Sequence, residues 1–232
     1  MEDTAQILRT ELRQNDGDLY LCHLFVPTAH RFRMLALYTG YAEIARVPAQ
    51  VNEPMVGAIR LQWWRDNLEV GADPAISSPV AAALSSCEFP ADDIARLIDA
   101  RMPALERSEP SDLASLEAEA TLAGPAFMRL SLAALHQDAR ALPSWVDDAG
   151  IGFELVRLAH LGNTDSVMTR AQTLLGAARA GFNGLARQER AAILPAFLIT
   201  GLTARFARRW PRQDLLLRHQ FRLLVSALRG RI

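Results

Sequence analysis

The 232 residues include no lysine, and all 25 basic side chains are arginine. That absence excludes lysine Schiff-base chemistry and the lysine of a phosphate-binding loop. Cysteine is nearly absent as well. Cys22 and Cys87 stand too far apart to build a disulfide framework or a CxxC metal site, which fits a reducing cytosol and two buried free thiols. The five histidines, at positions 23, 30, 136, 160 and 219, are scattered and form no HExxH or His/Cys grouping. No metal site is therefore expected from them, because a bound metal needs ligands converging at fixed spacing. No dinucleotide fingerprint follows a strand, and no serine occupies a GxSxG elbow. No window approaches the ~18 consecutive apolar residues of a membrane span. The opening MEDTAQILRTELRQND mixes acids with arginines, so no secretory signal is expected there.

What remains is a chain of 50% hydrophobic and 22% charged residues, enough apolar surface for one soluble domain over 1–232. Its net charge of −1 hides a split. Residues 1–154 hold 23 acids against 12 arginines, a balance of −11, whereas residues 155–232 hold 3 acids against 13 arginines, +10. Strand signals are nearly absent, and apolar residues recur at helical spacing almost throughout, as at Met34, Leu37, Tyr38 and Tyr41. The pattern predicts helices near 5–13, 18–25, 30–46, 55–69, 80–86, 90–106, 111–137 (interrupted at Gly124-Pro125), 143–161, 166–180, 187–208 and 211–229. Prolines and small polar residues mark the breaks. The expected fold class is all-α, a single-domain helical bundle.

An all-α enzyme without nucleophile or zinc motif is left with the ionisation of phosphate esters under Mg²⁺. That chemistry needs carboxylates one helical turn apart, converging on metal ions that clamp a diphosphate. The acidic pairs here, Asp92-Asp93 and Asp147-Asp148, are adjacent and sit at helix starts, where capping explains them.

Other residues point to a family. Asp18-Leu19-Tyr20-Leu21, Leu24-Phe25-Val26-Pro27, Arg31 and Leu35-Ala36-Leu37-Tyr38 resemble the opening of squalene/phytoene synthases. So does Glu53-Pro54-Met55-Val56-Gly57, running into Ile59-Arg60-Leu61-Gln62-Trp63-Trp64-Arg65-Asp66. The resemblance is strongest over 18–69 and implies an isoprenoid-synthase-like bundle whose active members condense two prenyl diphosphates with Mg²⁺ held by two aspartate-rich motifs. The departures are specific. Counting from Tyr38, the aspartates of the first motif fall at Ala45, Arg46 and Ala49. In the second, Gly150, Leu155 and Arg157 match loosely, but Leu158 and Gly162 stand where aspartates belong. The sequence is similar in this to a divergent branch that lacks the complete motifs and includes a mitochondrial complex I assembly factor.

The candidate ligand-binding residues are Tyr20, Arg31, Glu43, Arg46, Glu154 and Arg157, the first two through the resemblance. Two prenyl diphosphates bring about six negative charges that need stabilising, and Arg46 at a ligand position repels Mg²⁺ while suiting an anion. A Glu43–Arg46 pair at i,i+3 is the alternative reading. Near the C-terminus, Leu217, Phe221, Leu224 and Leu228 form an apolar seam with Arg218 and Arg222 off it. This places an anionic membrane surface or acidic partner at Arg218 and Arg222, or else internal pairing with the acid-rich part of the chain. Nucleic acid is not expected, for want of a basic groove or module. The expected function is thus that of a catalytically degenerate protein, binding an isoprenoid or other lipid or acting as an assembly factor. It would be cytoplasmic and peripheral on the inner membrane face, with no metal or other cofactor. One alternative is an active prenyltransferase that uses Mg²⁺ through acids such as Glu43, Asp147, Asp148 or Glu154. Another is a helical interaction module without a ligand cavity.

Overall fold

The structure, a computed structural model, describes residues 2–68, 78–107, 111–135, 142–186 and 189–197. Its helices are α1 (Glu2–Asn15), α2 (Gly17–His23), α3 (Arg31–Arg46), α4 (Pro54–Leu68), α5 (Pro79–Ser85), α6 (Ala91–Asp99), α7 (Leu113–Leu135), α8 (Trp145–Leu158) and α9 (Thr164–Gly184). Residues 189–197 are again helical. Among the described residues there is no strand, only an isolated bridge between Ser111 and Gly162. The fold is the all-α bundle that the apolar spacing predicts.

Side-chain caps set several of the helix starts. Asp16 caps α2 by accepting the Leu19 N–H at 3.0 Å. Ser78 caps α5 at 3.1 Å, with Pro79 in the first helical position, where its missing N–H costs nothing. Asn163 does the same for α9 at 3.2 Å. Of the central helix α3, residues 34–42 are all buried, together with Ile44, so it is apolar around most of its circumference, as a core helix must be. It packs against α1, α5, α6 and α7, and the layer α7–α8–α9 closes the other side.

The α7–α8 pair is antiparallel. The Ser111 N–H donates to Leu161 O at 2.8 Å at one end, and Arg129 meets Asp147 at 3.0 Å towards the other. Between them the helices touch backbone to backbone. A Cβ on Gly124 would lie 2.2 Å from Gly150 O, and one on Gly150 would lie 2.3 Å from Gly124 C. This contact corrects one expectation. The break at Gly124-Pro125 does not occur, and α7 runs through Pro125 without interruption. Residues 123–128 are all buried, so packing on α8 outweighs the hydrogen bond that Pro125 cannot make. The helix expected over 90–106 with a distortion at Pro103 is shorter than expected: α6 ends at Asp99, and the distortion is a 3-10 turn, Pro103–Glu106. The helix expected at 211–229 lies outside the described residues, as does most of 187–208.

The glycine contact leaves no room for a methyl group. Gly124→Ala is expected to cost about 3 kcal/mol, the upper range for overpacking against rigid neighbours, read as a lower urea midpoint. Gly176→Ala, on the same layer with nothing within 4 Å of its added Cβ, is expected to leave that midpoint unchanged or raise it slightly.

Candidate functional site

The centre of the bundle holds charge. Arg101, two residues beyond α6, is 2% exposed and extends its guanidinium between two carboxylates. One nitrogen donates to Glu119 of α7 at 2.5 Å and the other to Glu154 of α8. Arg107 donates to the second Glu119 oxygen, and the Tyr41 hydroxyl of α3 donates to the second oxygen of Glu154. Arg157, one turn along α8, forms an ion pair with Asp16 at 2.7 Å and lies 5.2 Å from the centre of the Tyr41 ring. Asp16 thus does two things: it caps α2 with one oxygen and anchors α8 with the other.

The electrostatics follow from this wiring. Burial pushes the Glu154 carboxyl up, but the Arg101 and Arg157 guanidiniums and the Tyr41 hydroxyl outweigh it and hold the carboxyl below its ordinary range. Burial also lowers Arg101, yet Glu154 and Tyr41 hold it protonated. Three carboxylates, those of Asp16, Glu119 and Glu154, face three guanidiniums, those of Arg101, Arg107 and Arg157. The gap between Glu119 and Glu154, where a cation could bridge two helices, is filled by the chain's own Arg101. Beside it, Tyr41, Phe127 and Phe153 stack, with ring centres 4.2 and 5.1 Å apart along the series. They fill the space between α3, α7 and α8.

An open pocket of about 570 Å³ lies elsewhere, at the C-terminal ends of α1 and α3 and along α4. Glu11, Asn15, Glu43, Arg46, Gln50 and Arg60 give it polar walls, and Val47, Ile59, Trp63 and Trp64 apolar ones. Arg46 donates to Asn15 Oδ1, and Asn15 in turn donates to Glu11 at 3.3 Å. Arg46 therefore spends its hydrogen bond on α1 rather than on Glu43, although its charge still acts on that carboxyl. Burial and the Glu11 charge push Glu43 up to about 7.

The six candidate residues separate into three places. Glu43 and Arg46 line the pocket. Glu154 and Arg157 belong to the buried network, so the four do not converge on one cavity. Arg31 is exposed and closes the α2–α3 turn by donating to Val26 O at 3.0 Å, and Tyr20 is half-buried against the core. Arg218 and Arg222 lie outside the described residues. Asp147 pairs with Arg129, and Trp64 is buried while Trp63 is half-buried. Both cysteines are buried free thiols.

Arg101, Glu119, Tyr41 and Asp16 were not among the candidates. A signal did exist for two of them. Arg101 continues the apolar face Ile94–Leu97–Ile98, and Glu119 lies among Leu116, Ala120 and Ala123. A charge on an apolar face is paired when it is buried, but its partner, on another helix, cannot be read from spacing. Among the described residues, no group of three or more His, Cys, Asp or Glu side chains could hold a metal, and no helix is long and apolar enough to cross a membrane.

Comparison with known proteins sets these features in a family. The profile of squalene/phytoene synthases matches residues 12–165, more than half of the chain. The chain belongs to the squalene/phytoene synthase family. Its fold is similar to that of the squalene synthase HpnC from Alicyclobacillus acidocaldarius, with TM-score 0.68 and 14% identity over 89% of this chain and 94% of that one. It is also similar to a dehydrosqualene synthase solved with a ligand, TM-score 0.67 and 12% identity over 99% and 98%. In sequence it matches the NADH dehydrogenase (ubiquinone) complex I assembly factor 6 of Homo sapiens, 35% identical over 74 residues. The bovine protein of that name is 32% identical over the same length. These stretches span 32% of this chain and 22% of the relatives.

Two outcomes follow from the charges. Glu154→Gln leaves Arg101 short of a buried counter-charge and is expected to cost about 3 kcal/mol, against about 1 kcal/mol for Tyr41→Phe, which loses one hydrogen bond; both are read by urea unfolding. Glu43 binds its proton more tightly folded than unfolded, so it favours the fold at low pH, and that contribution is lost as pH rises from its ordinary 4.5 to about 7. Glu43→Gln is therefore expected to stabilise above neutral pH by about 1 kcal/mol after solvent screening and to change nothing in acid, as thermal melts across pH would record.

Proposed function

We propose that this protein is a catalytically degenerate squalene/phytoene synthase relative that works by binding, as an assembly factor, rather than by condensing prenyl diphosphates. The observation that carries this reading is Arg101 between Glu119 and Glu154. A guanidinium held between facing carboxylates supplies the bridging charge from the chain itself, so those carboxylates are engaged rather than open to Mg²⁺. Arg46, at a position where the family's active members carry an aspartate, acts in the same direction. The relatives named as complex I assembly factor 6 support the assembly role, with a protein partner in the membrane-bound respiratory machinery.

A binding module without an internal cavity is the second reading, and the stacked Tyr41, Phe127 and Phe153 favour it over an isoprenoid held on the bundle axis. An active enzyme would have to recruit Glu43, Asp147, Asp148 or Glu154, of which Asp147 and Glu154 are already in ion pairs. We place the protein in the cytoplasm, peripheral on the inner membrane face, with Arg218 and Arg222 as the contact to anionic headgroups.

Incubation with farnesyl or geranylgeranyl diphosphate and Mg²⁺ is expected to release no pyrophosphate above the protein-free rate. Metal-dependent release with a condensed product would overturn the degenerate reading. Deletion in the native host is expected to lower NADH dehydrogenase activity with no change in squalene or phytoene. Binding to anionic vesicles is expected to weaken with salt and with Arg218→Glu and Arg222→Glu combined; salt-independent binding that the double variant retains would remove the membrane contact.

A further inference from the structure

The α1–α3–α4 pocket has a chemistry that the buried network does not share. Its glutamate Glu43 makes no hydrogen bond or ion pair with any described residue. Asn15 joins Arg46 to Glu11, so that one guanidinium and one carboxylate are tied to each other through the amide. Glu43 is left beside Glu11 in a partly dehydrated space, with the Arg46 charge acting on it but no ion pair to a described residue. The α4 wall carries aromatic side chains. Trp63 and Trp64 stand edge to face at 5.3 Å, and indole faces attract ammonium and guanidinium groups.

The rim adds an apolar track. Ile59, which lines the pocket, is 62% exposed, and Met55 one turn back along α4 is 71% exposed, with Val56 beside it at 41%. Three exposed apolar side chains on one helical face, leading into a charged pocket, suit a ligand with a charged end and an apolar stem. Arg60 also lines the pocket. Its charge works against a compact dication, and leaves a single cation on a stem as the better match.

We propose that this pocket is a binding site for an organic cation, an ammonium or guanidinium group carried on an apolar stem. The charged end sits between Glu43 and Glu11 against Trp63, and the stem lies over Ile59 and Met55. The site goes beyond the assembly reading and does not depend on it, since it needs only the pocket and the α4 face. The same chemistry is offered by an amphiphilic amine and by a lysine or arginine side chain on a partner helix.

The test is calorimetric titration of the full chain with octylammonium, below its micellar range, beside octanol, octanoate and putrescine. Octylammonium is expected to bind about tenfold more tightly than octanol, the worth of one charge-assisted contact, with octanoate and putrescine weaker than both. Because Glu11, Arg46 and Arg60 face Glu43, the preference is expected to hold above neutral pH, where Glu43 is ionised, and to fall in acid. Glu43→Gln is expected to abolish it while melting as a folded protein, and Glu11→Gln to reduce it. Competition separates the sources: displacement by an amphipathic peptide bearing one lysine, and not by its norleucine counterpart, assigns the cation to a protein side chain, and displacement by alkylammonium alone assigns it to a free amphiphile. Equal binding of octylammonium and octanol, or a preference that survives both Glu43→Gln and Glu11→Gln, overturns the proposal. Neither result bears on the diphosphate assay, so the two readings fail independently.

Discussion

A guanidinium placed between two carboxylates in the middle of a helical bundle governs the rest of this structure. Arg101 reaches Glu119 on α7 and Glu154 on α8 from a segment that follows α6. A buried charge left without a partner is far costlier than the pair, so the three segments must keep their mutual register. Tyr41 ties α3 to the same carboxylate, and Arg157 carries the network out to Asp16 at the cap of α2. Five parts of the chain are thereby joined by charge, over an aromatic stack that excludes water.

The same interaction settles the charge at the centre of the bundle. Facing carboxylates on the helices of a bundle repel each other unless a cation lies between them. Where a bound metal ion can meet that need, a covalently attached guanidinium meets it at all times and at no cost in ion binding. The centre of the bundle then keeps its charge balance without a bound ion. Glycine contact at Gly124 and Gly150 supports the arrangement, because it brings α7 and α8 close enough for one guanidinium to span them. The pocket at α1, α3 and α4 is separate from this network, and its Glu43 forms no ion pair with a described residue, although the Arg46 charge acts on it.

Much of the fold was legible from local rules. The helical spacing of Met34, Leu37, Tyr38 and Tyr41 marked α3 as a helix, and Asp92 and Asp93 lie in the first turn of α6, as their chemistry predicts. Local rules failed at Gly124-Pro125, where the helix continues because Gly124 lies in backbone contact with Gly150, a fact that belongs to α8 and not to α7. Among the candidate residues, Glu43 and Arg46 share a pocket as their spacing on one helix implies. Glu154 and Arg157 carry the right charges but face partners more than fifty residues away, and no spacing rule reaches that far.

The sequence by itself determined the fold class, the helical periods and the absence of aspartates at Ala45, Arg46, Ala49, Leu158 and Gly162, because these depend on residue identity and near neighbours. Tertiary structure alone decided which charges neutralise each other. Pairing energy depends on distance and dehydration rather than on position in the chain. Arg101 and Glu119 are eighteen residues apart, Arg101 and Glu154 fifty-three. Only folding brings them within hydrogen-bonding distance, and only there does an ordinary arginine take the place of a cation between two helices.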